Sequence, residues 1–147
     1  GYVLWPRLVM KVLSNDPESG VEPQWIPPAR VRDHLSVNPA NIRILHEIMR
    51  ADVEDHDQGT GWRAYTPGIS IGGKTGTAEI EKGGKIVDQT TWFTSFAPIE
   101  APRYAVVVMV ESGASGGKTC APVAGRIYKS LLELEEHDRQ NVLAQTN

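Results

Sequence analysis

The sequence predicts an α+β fold, a three-stranded antiparallel meander with flanking helices, and three observations lead there. Apolar residues recur at three- and four-residue steps in Ile42, Leu45, Ile48, Met49 and Val53, and again in Val123, Ile127, Leu131 and Leu134, so two helical segments each carry one stripe to bury. Between them the period falls to two over residues 69–81 and 86–97, and residues 104–110 form an unbroken apolar run. Two adjacent glycines, Gly83 and Gly84, separate the alternating runs and suit a tight hairpin.

Taken in order, residues 1–35 show no sustained period. Residues 8–13 read as a short strand ending at the turn-rich residues 14–20, and Pro23, Pro27 and Pro28 keep residues 21–32 out of a helix, leaving an extended crossing. At Asn38-Pro39 a capping asparagine precedes a proline whose missing N–H suits the first helical position, so a helix is predicted from there to about residue 53. The run Glu54-Asp55-His56-Asp57 puts negative charge at the negative end of the helix dipole, which predicts fraying into residues 58–61. In the second strand Trp92 and Phe93 point to opposite sides, so both sheet faces are expected to be covered. The strand from Tyr104 to Val110, apolar throughout, is expected in the middle of a sheet. The glycine-rich loop 112–119 leads into a helix from near Pro122, whose pattern fades from about residue 135, where fraying is expected.

A chain of 147 residues, 40% of them hydrophobic, can bury the core of one domain. Its net charge of −3, with no lysine or arginine run, leaves no surface to neutralise phosphates and excludes nucleic acid as a partner. The single cysteine, Cys120, excludes an internal disulfide. No stretch reaches the roughly 20 apolar residues of a membrane span, the first residues lack the pattern of a signal peptide, and the uncapped start reads as that of an excised piece.

Chemistry concentrates in Gly72-Gly73-Lys74-Thr75-Gly76-Thr77-Ala78-Glu79, which sets a cation, two hydroxyls and close-approach glycines beside predicted strands and so suits an anionic ligand. Gly68 to Thr75 also spells the phosphate-loop pattern G-x-x-x-x-G-K-[ST], but that mechanism needs a helix after the lysine, and a hairpin follows here. Glycines in a strand can equally mark a bulge, with Lys74 a solvated edge charge. The remaining reading is a Lys-Thr-Gly-Thr edge strand of a serine acyltransferase.

The longer context supports that last reading. Residues 72–79, followed by Thr91-Trp92-Phe93-Thr94-Ser95-Phe96-Ala97-Pro98, the apolar strand from Tyr104 and then Pro122-Val123-Ala124, resemble the end of the transpeptidase domain of class B penicillin-binding proteins, most of all the elongation type. The resemblance implies the C-terminal part of a β-lactamase/transpeptidase-like fold, with residues 1–147 one incomplete domain. It implies a peptidoglycan D,D-transpeptidase without cofactor or metal, acting on stem peptides and acylated by β-lactams at the outer face of the cytoplasmic membrane. Carried over, Lys74 supplies charge beside the substrate carboxylate and the proton network, and Thr75 and Thr77 offer hydroxyls to that carboxylate. The Thr77 N–H is an oxyanion donor, and Gly76 and Ala78 lie along the ligand, which adds as an extra strand. The family's S-x-x-K nucleophile and S-x-N signature lie upstream and are absent, so the chain is expected to be inactive alone. Its membrane anchor is likewise absent, and the strand from Tyr104 is expected to have an unpaired edge open to self-association.

Two literal matches are set aside. Ser115-Gly116-Gly117-Lys118 spells S-x-x-K but falls downstream in the glycine-rich loop, and Ser36-Val37-Asn38 spells S-x-N at a helix start, where capping explains it. The acidic run 54–57 with His46 shows no metal-ligand spacing, Cys120 reads as packing rather than a nucleophile, and Trp62 and Tyr65 line either the groove or the core rim. The rival function is a non-catalytic module that holds a peptide or protein at the same edge strand.

Overall fold

The computed structural model describes residues 1–16, 18–28 and 30–145, in two units, Gly1–Ile42 and Arg43–Asn147. In the first, β1 (Tyr2–Leu4) pairs with β4 (Val31–His34) and β2 (Lys11–Val12) with β3 (Gln24–Trp25), both antiparallel. The stretch read as irregular thus holds four strands. They are too short to show a period, and none of their residues is buried. Only Lys11 and Val12 of the strand expected over 8–13 are strand, and Leu8 is fully exposed.

Helix α1 (Pro39–Glu54) starts where the cap predicts, with Asn38 Oδ1 accepting the Ala40 N–H at 2.9 Å. Its expected stripe is not buried as a whole: Val53 is, whereas Leu45 and Ile48 remain about half exposed. Its end does not fray. Asp55 accepts the N–H groups of Asp57 and Gln58, both at 2.9 Å, and Gly59 and Gly61 donate back to the carbonyls of Asp55 and Asp52. The acidic residues act as acceptors for the turn's backbone donors, which outweighs their unfavourable place in the dipole.

The sheet has the order β5 (Gly72–Lys82), β6 (Lys85–Ala97), β7 (Tyr104–Glu111). Gly83 and Gly84, at φ +61° and +73°, make the two-residue turn that needs left-handed backbone at both positions. Strand β5 starts three residues later than expected, because Ile69 still closes a turn on Thr66. β7 lies at the edge of this sheet, not in its middle, and its residues alternate between half-buried and exposed.

Only one face of the sheet is closed. Thr91, Phe93 and Ala97 are fully buried there, and Ser95 nearly so, against α2 (Ala121–Gln145) and the wide π turn Gly116–Cys120 before it. Tyr128 of α2 donates to Ser95 Oγ at 3.1 Å, and Ser95 donates on to the Val106 carbonyl. Burial pushes the Tyr128 hydroxyl pKa up. The other face, with Trp92, Val107 and Met109, is open, contrary to the expectation of two covered faces. Helix α2 buries only part of the predicted stripe: Leu131 packs against the core, but Ile127 and Leu134 face out, and Ala121, Ala124, Gly125 and Tyr128 are the buried positions. Gly125 lets the helix lie close on the 3₁₀ turn Trp62–Ala64, where a Cβ would stand 3.2 Å from the Ala64 backbone. The tail beyond residue 135 stays helical, with Arg139 paired to Glu136 and Gln140 donating to Glu136. No described helix is long and apolar enough to cross a membrane.

Candidate active-site wall

Strand β5 pairs with β6 on one side only, so among the described residues its other edge has no strand partner. Directly opposed residues of antiparallel strands share a face. Lys74 opposes Thr94 and lies on the open face, whereas Thr75 and Thr77 oppose Phe93 and Thr91 on the α2 side. The lysine and the two threonines therefore flank the free edge from opposite sides.

Each side carries a hollow of about 420 Å³. Beside Lys74 the lining is mostly apolar, with Leu45, Ile48 and Met49 of α1 and Gly73 of β5. Beside Thr75 and Thr77 it is polar: Thr60, Arg63, Ser115 and Lys118 line it, and among the described residues no acidic one contributes. The second hollow has two cations and four hydroxyls for an anionic ligand to meet. Lys74 is exposed, and its Nζ donates to the Thr75 carbonyl at 2.8 Å.

A hydrogen-bond chain reaches the motif from α1. Asp52 Oδ1 accepts the Thr60 N–H at 3.0 Å and the Thr60 hydroxyl at 2.7 Å, and Thr60 Oγ1 lies 2.7 Å from Thr75 Oγ1. Sequence reasoning missed Asp52, Thr60, Arg63 and Lys118 as contributors. The one local signal was Gly59-Thr60-Gly61, a threonine bracketed by glycines beside an acidic run. Trp62 lines the polar hollow, its ring 4.6 Å from the Arg63 guanidinium carbon, while Tyr65 is half exposed and packs edge-on to His56.

The remaining candidates have structural partners. Ser115 Oγ accepts the Lys118 N–H at 3.2 Å and caps the π turn, so this S-x-x-K lies in a helical turn and not in the loop expected. Cys120 is fully buried, its sulfur 3.3 Å from Thr91 Oγ1. Asp55 is occupied by the turn, and the N–H groups of Gln58 and Asp57 hold its carboxyl below the ordinary carboxylate range. Among the described residues no group of three or more His, Cys, Asp or Glu is placed to hold a metal ion. The phosphate-loop pattern runs into strand β5, so no helix N-terminus follows Thr75.

The model of the penicillin binding protein transpeptidase domain matches residues 1–129. The chain belongs to the penicillin-binding protein transpeptidase family. It is 32% identical over 120 residues to a probable peptidoglycan D,D-transpeptidase FtsI of Caulobacter vibrioides, covering 65% of this chain and 20% of that protein. It is 38% identical over 91 residues to stage V sporulation protein D of Bacillus subtilis, covering 57% and 14%. Among solved structures, penicillin-binding protein 3 of Mycobacterium tuberculosis, complexed with ampicillin, superposes with a TM-score of 0.63 at 27% identity, over 78% of this chain and 28% of that one. Penicillin-binding protein 2 of Pseudomonas aeruginosa gives 0.58 at 31% identity, over 74% and 23%. This transpeptidase-family chain spans about a fifth or less of the length of these curated relatives. Their differing names do not single out the elongation type within the family.

Proposed function

We propose that residues 1–147 are the C-terminal segment of a peptidoglycan D,D-transpeptidase domain and form one wall of a serine acyl-transfer site whose nucleophile lies on another segment. The observation that carries this reading is the free edge of β5, flanked by Lys74 on one side and by Thr75 and Thr77 on the other. A stem peptide ending in D-alanyl-D-alanine adds along that edge as a strand. Gly76 and Ala78 let its backbone lie close, the Thr77 hydroxyl meets the terminal carboxylate and the Thr77 N–H stabilises the oxyanion. Lys74 supplies positive charge to the carboxylate and to the proton network around the serine. The ampicillin complex of a structural relative supports β-lactams as ligands of the assembled site. In this reading the isolated chain is inactive, the assembled enzyme works at the outer face of the cytoplasmic membrane, and the free edge of β7 takes further strands or, without them, a second copy.

The test is labelling of the complete domain by a fluorescent penicillin. Lys74→Ala should slow acylation about a hundredfold and Thr77→Val about tenfold, the scale of losing electrostatic and hydrogen-bond stabilisation at a reacting centre. An unchanged rate in Lys74→Ala would overturn the assignment.

A further inference from the structure

The hydroxyl chain that enters the wall from α1 has a direction, and proton counting sets it. An ionised carboxylate only accepts, and a threonine hydroxyl has one proton to give. Asp52 Oδ1 takes the hydroxyl proton of Thr60 at 2.7 Å. Thr60 Oγ1 and Thr75 Oγ1 are 2.7 Å apart, close enough that one proton lies between them. Thr60 has already given its proton to Asp52, so the shared proton is that of Thr75. The Thr75 hydroxyl therefore points inward, and only lone pairs are left for a ligand. Thr77, two residues along the same face, has no side-chain hydrogen bond among the described residues and keeps its proton free.

The arrangement is held from behind. Asp52 Oδ2 is buried and among the described residues has no hydrogen-bond partner, so the carboxylate acts through Oδ1. Gly61 leaves room for it, since a Cβ at that position would stand 2.7 Å from Oδ2. Asp52 also accepts the Thr60 N–H, and its own carbonyl accepts the Gly61 N–H, so Thr60 is fixed to Asp52 through backbone and side chain together.

We infer that Asp52 is a positioning residue which, through Thr60, makes Thr75 a hydrogen-bond acceptor and leaves Thr77 as the hydroxyl donor of the wall. This rests on the transpeptidase reading and refines it, since the resemblance has both threonines donating to the substrate carboxylate. The wall then offers a donor at Thr77 and an acceptor at Thr75, which fits a ligand carrying both a carboxylate and an amide N–H.

In the complete transpeptidase domain containing this chain, acylation rate constants are measured for a penicillin and for its uncharged ester, and their ratio reports recognition of the carboxylate. Thr77→Val should lower that ratio about tenfold, as loss of a hydrogen bond to a charged group does, while Thr75→Val keeps it within about twofold. In the Thr77→Val background, Asp52→Ala frees the Thr60 proton for Thr75, turns the Thr75 hydroxyl outward and should recover about threefold or more of the lost ratio. Asp52→Asn, which keeps an acceptor oxygen for Thr60, should recover nothing. Thr60→Val removes the inward acceptor instead and should match Asp52→Ala, so the test survives an Asp52→Ala variant that fails to fold. Equal losses in Thr75→Val and Thr77→Val, or equal behaviour of the alanine and asparagine variants, would overturn the inference. Failure of both compounds to acylate counts against the transpeptidase reading instead. The inference is then decided by NMR of this chain: the Thr75 hydroxyl proton should exchange slowly with water and lose that protection in Thr60→Val, and exchange as fast as at Thr77 would refute it.

Discussion

The two faces of the β5–β7 sheet differ in what finishes them. On the α2 side Phe93, Ser95 and Tyr128 are enclosed and their polar atoms are paired within the chain. On the other side Trp92, Val107 and Met109 are open, as are Leu45 and Ile48 of α1 beside Lys74. Three-stranded sheets with one closed face can stand as a scaffold. The open face is apolar and flanks the exposed Lys74, and an exposed apolar surface of this kind suits a partner. In the proposed transpeptidase reading, the closed face is the support of the wall and the open face is the side that another segment completes.

That contrast can be broken residue by residue. The largest effect is expected from Phe93→Ala on the closed face, about 3–5 kcal/mol of stability by chemical denaturation, against less than about 1 kcal/mol for Trp92→Ala next to it on the open face. Equal losses would mean that the two faces are not different. Gly116→Ala comes next, because its Cβ would lie 2.1 Å from the Trp92 carbonyl oxygen, which cannot give way without moving β6; about 1–3 kcal/mol is expected from overpacking. Ser95→Ala removes the acceptor of the buried Tyr128 hydroxyl and a donor to β7, for about 1–2 kcal/mol.

The smallest effect sharpens the comparison at the α1 turn. The folded-state carboxyl of Asp55 is held below its ordinary value, first by the Gln58 N–H and then by the Asp57 N–H. A depressed carboxyl contributes stability above its unfolded pKa of about 4, and that contribution is lost as pH falls through the lower folded value. Asp55→Asn should therefore lower the urea midpoint slightly at neutral pH, where that contribution is present, and converge on the parent chain at acid pH, so that the acid limb flattens. A limb as steep as that of the parent chain would count against the turn.

Local rules explain what was legible. The Gly83-Gly84 turn, the Asn38 cap and the alternation in β6 are decided within a few residues, so their sequence signatures carried through to the structure. Which face is closed depends instead on what packs across it. Of the expected α2 stripe Leu131 packs on the core while Ile127 and Leu134 face out, and the buried positions are Ala121, Ala124, Tyr128 and Gly125, the last against Ala64; a hydrophobicity pattern gives such small residues little weight. The motif strand was visible as letters. Its connection to Asp52 was not, because that chain joins a helix, a turn and a strand at separations of 8 and 15 residues, where no period operates.

The most direct test of the split wall is intact mass after exposure to a penicillin, first with this chain alone and then with an added S-x-x-K-bearing transpeptidase segment. The expected result is no adduct on the chain by itself and a serine adduct on the added segment in the mixture, formed only when this chain is present. A stable adduct on the isolated chain, at Ser115 or any other serine, would contradict the account, because the nucleophile would then lie within these 147 residues.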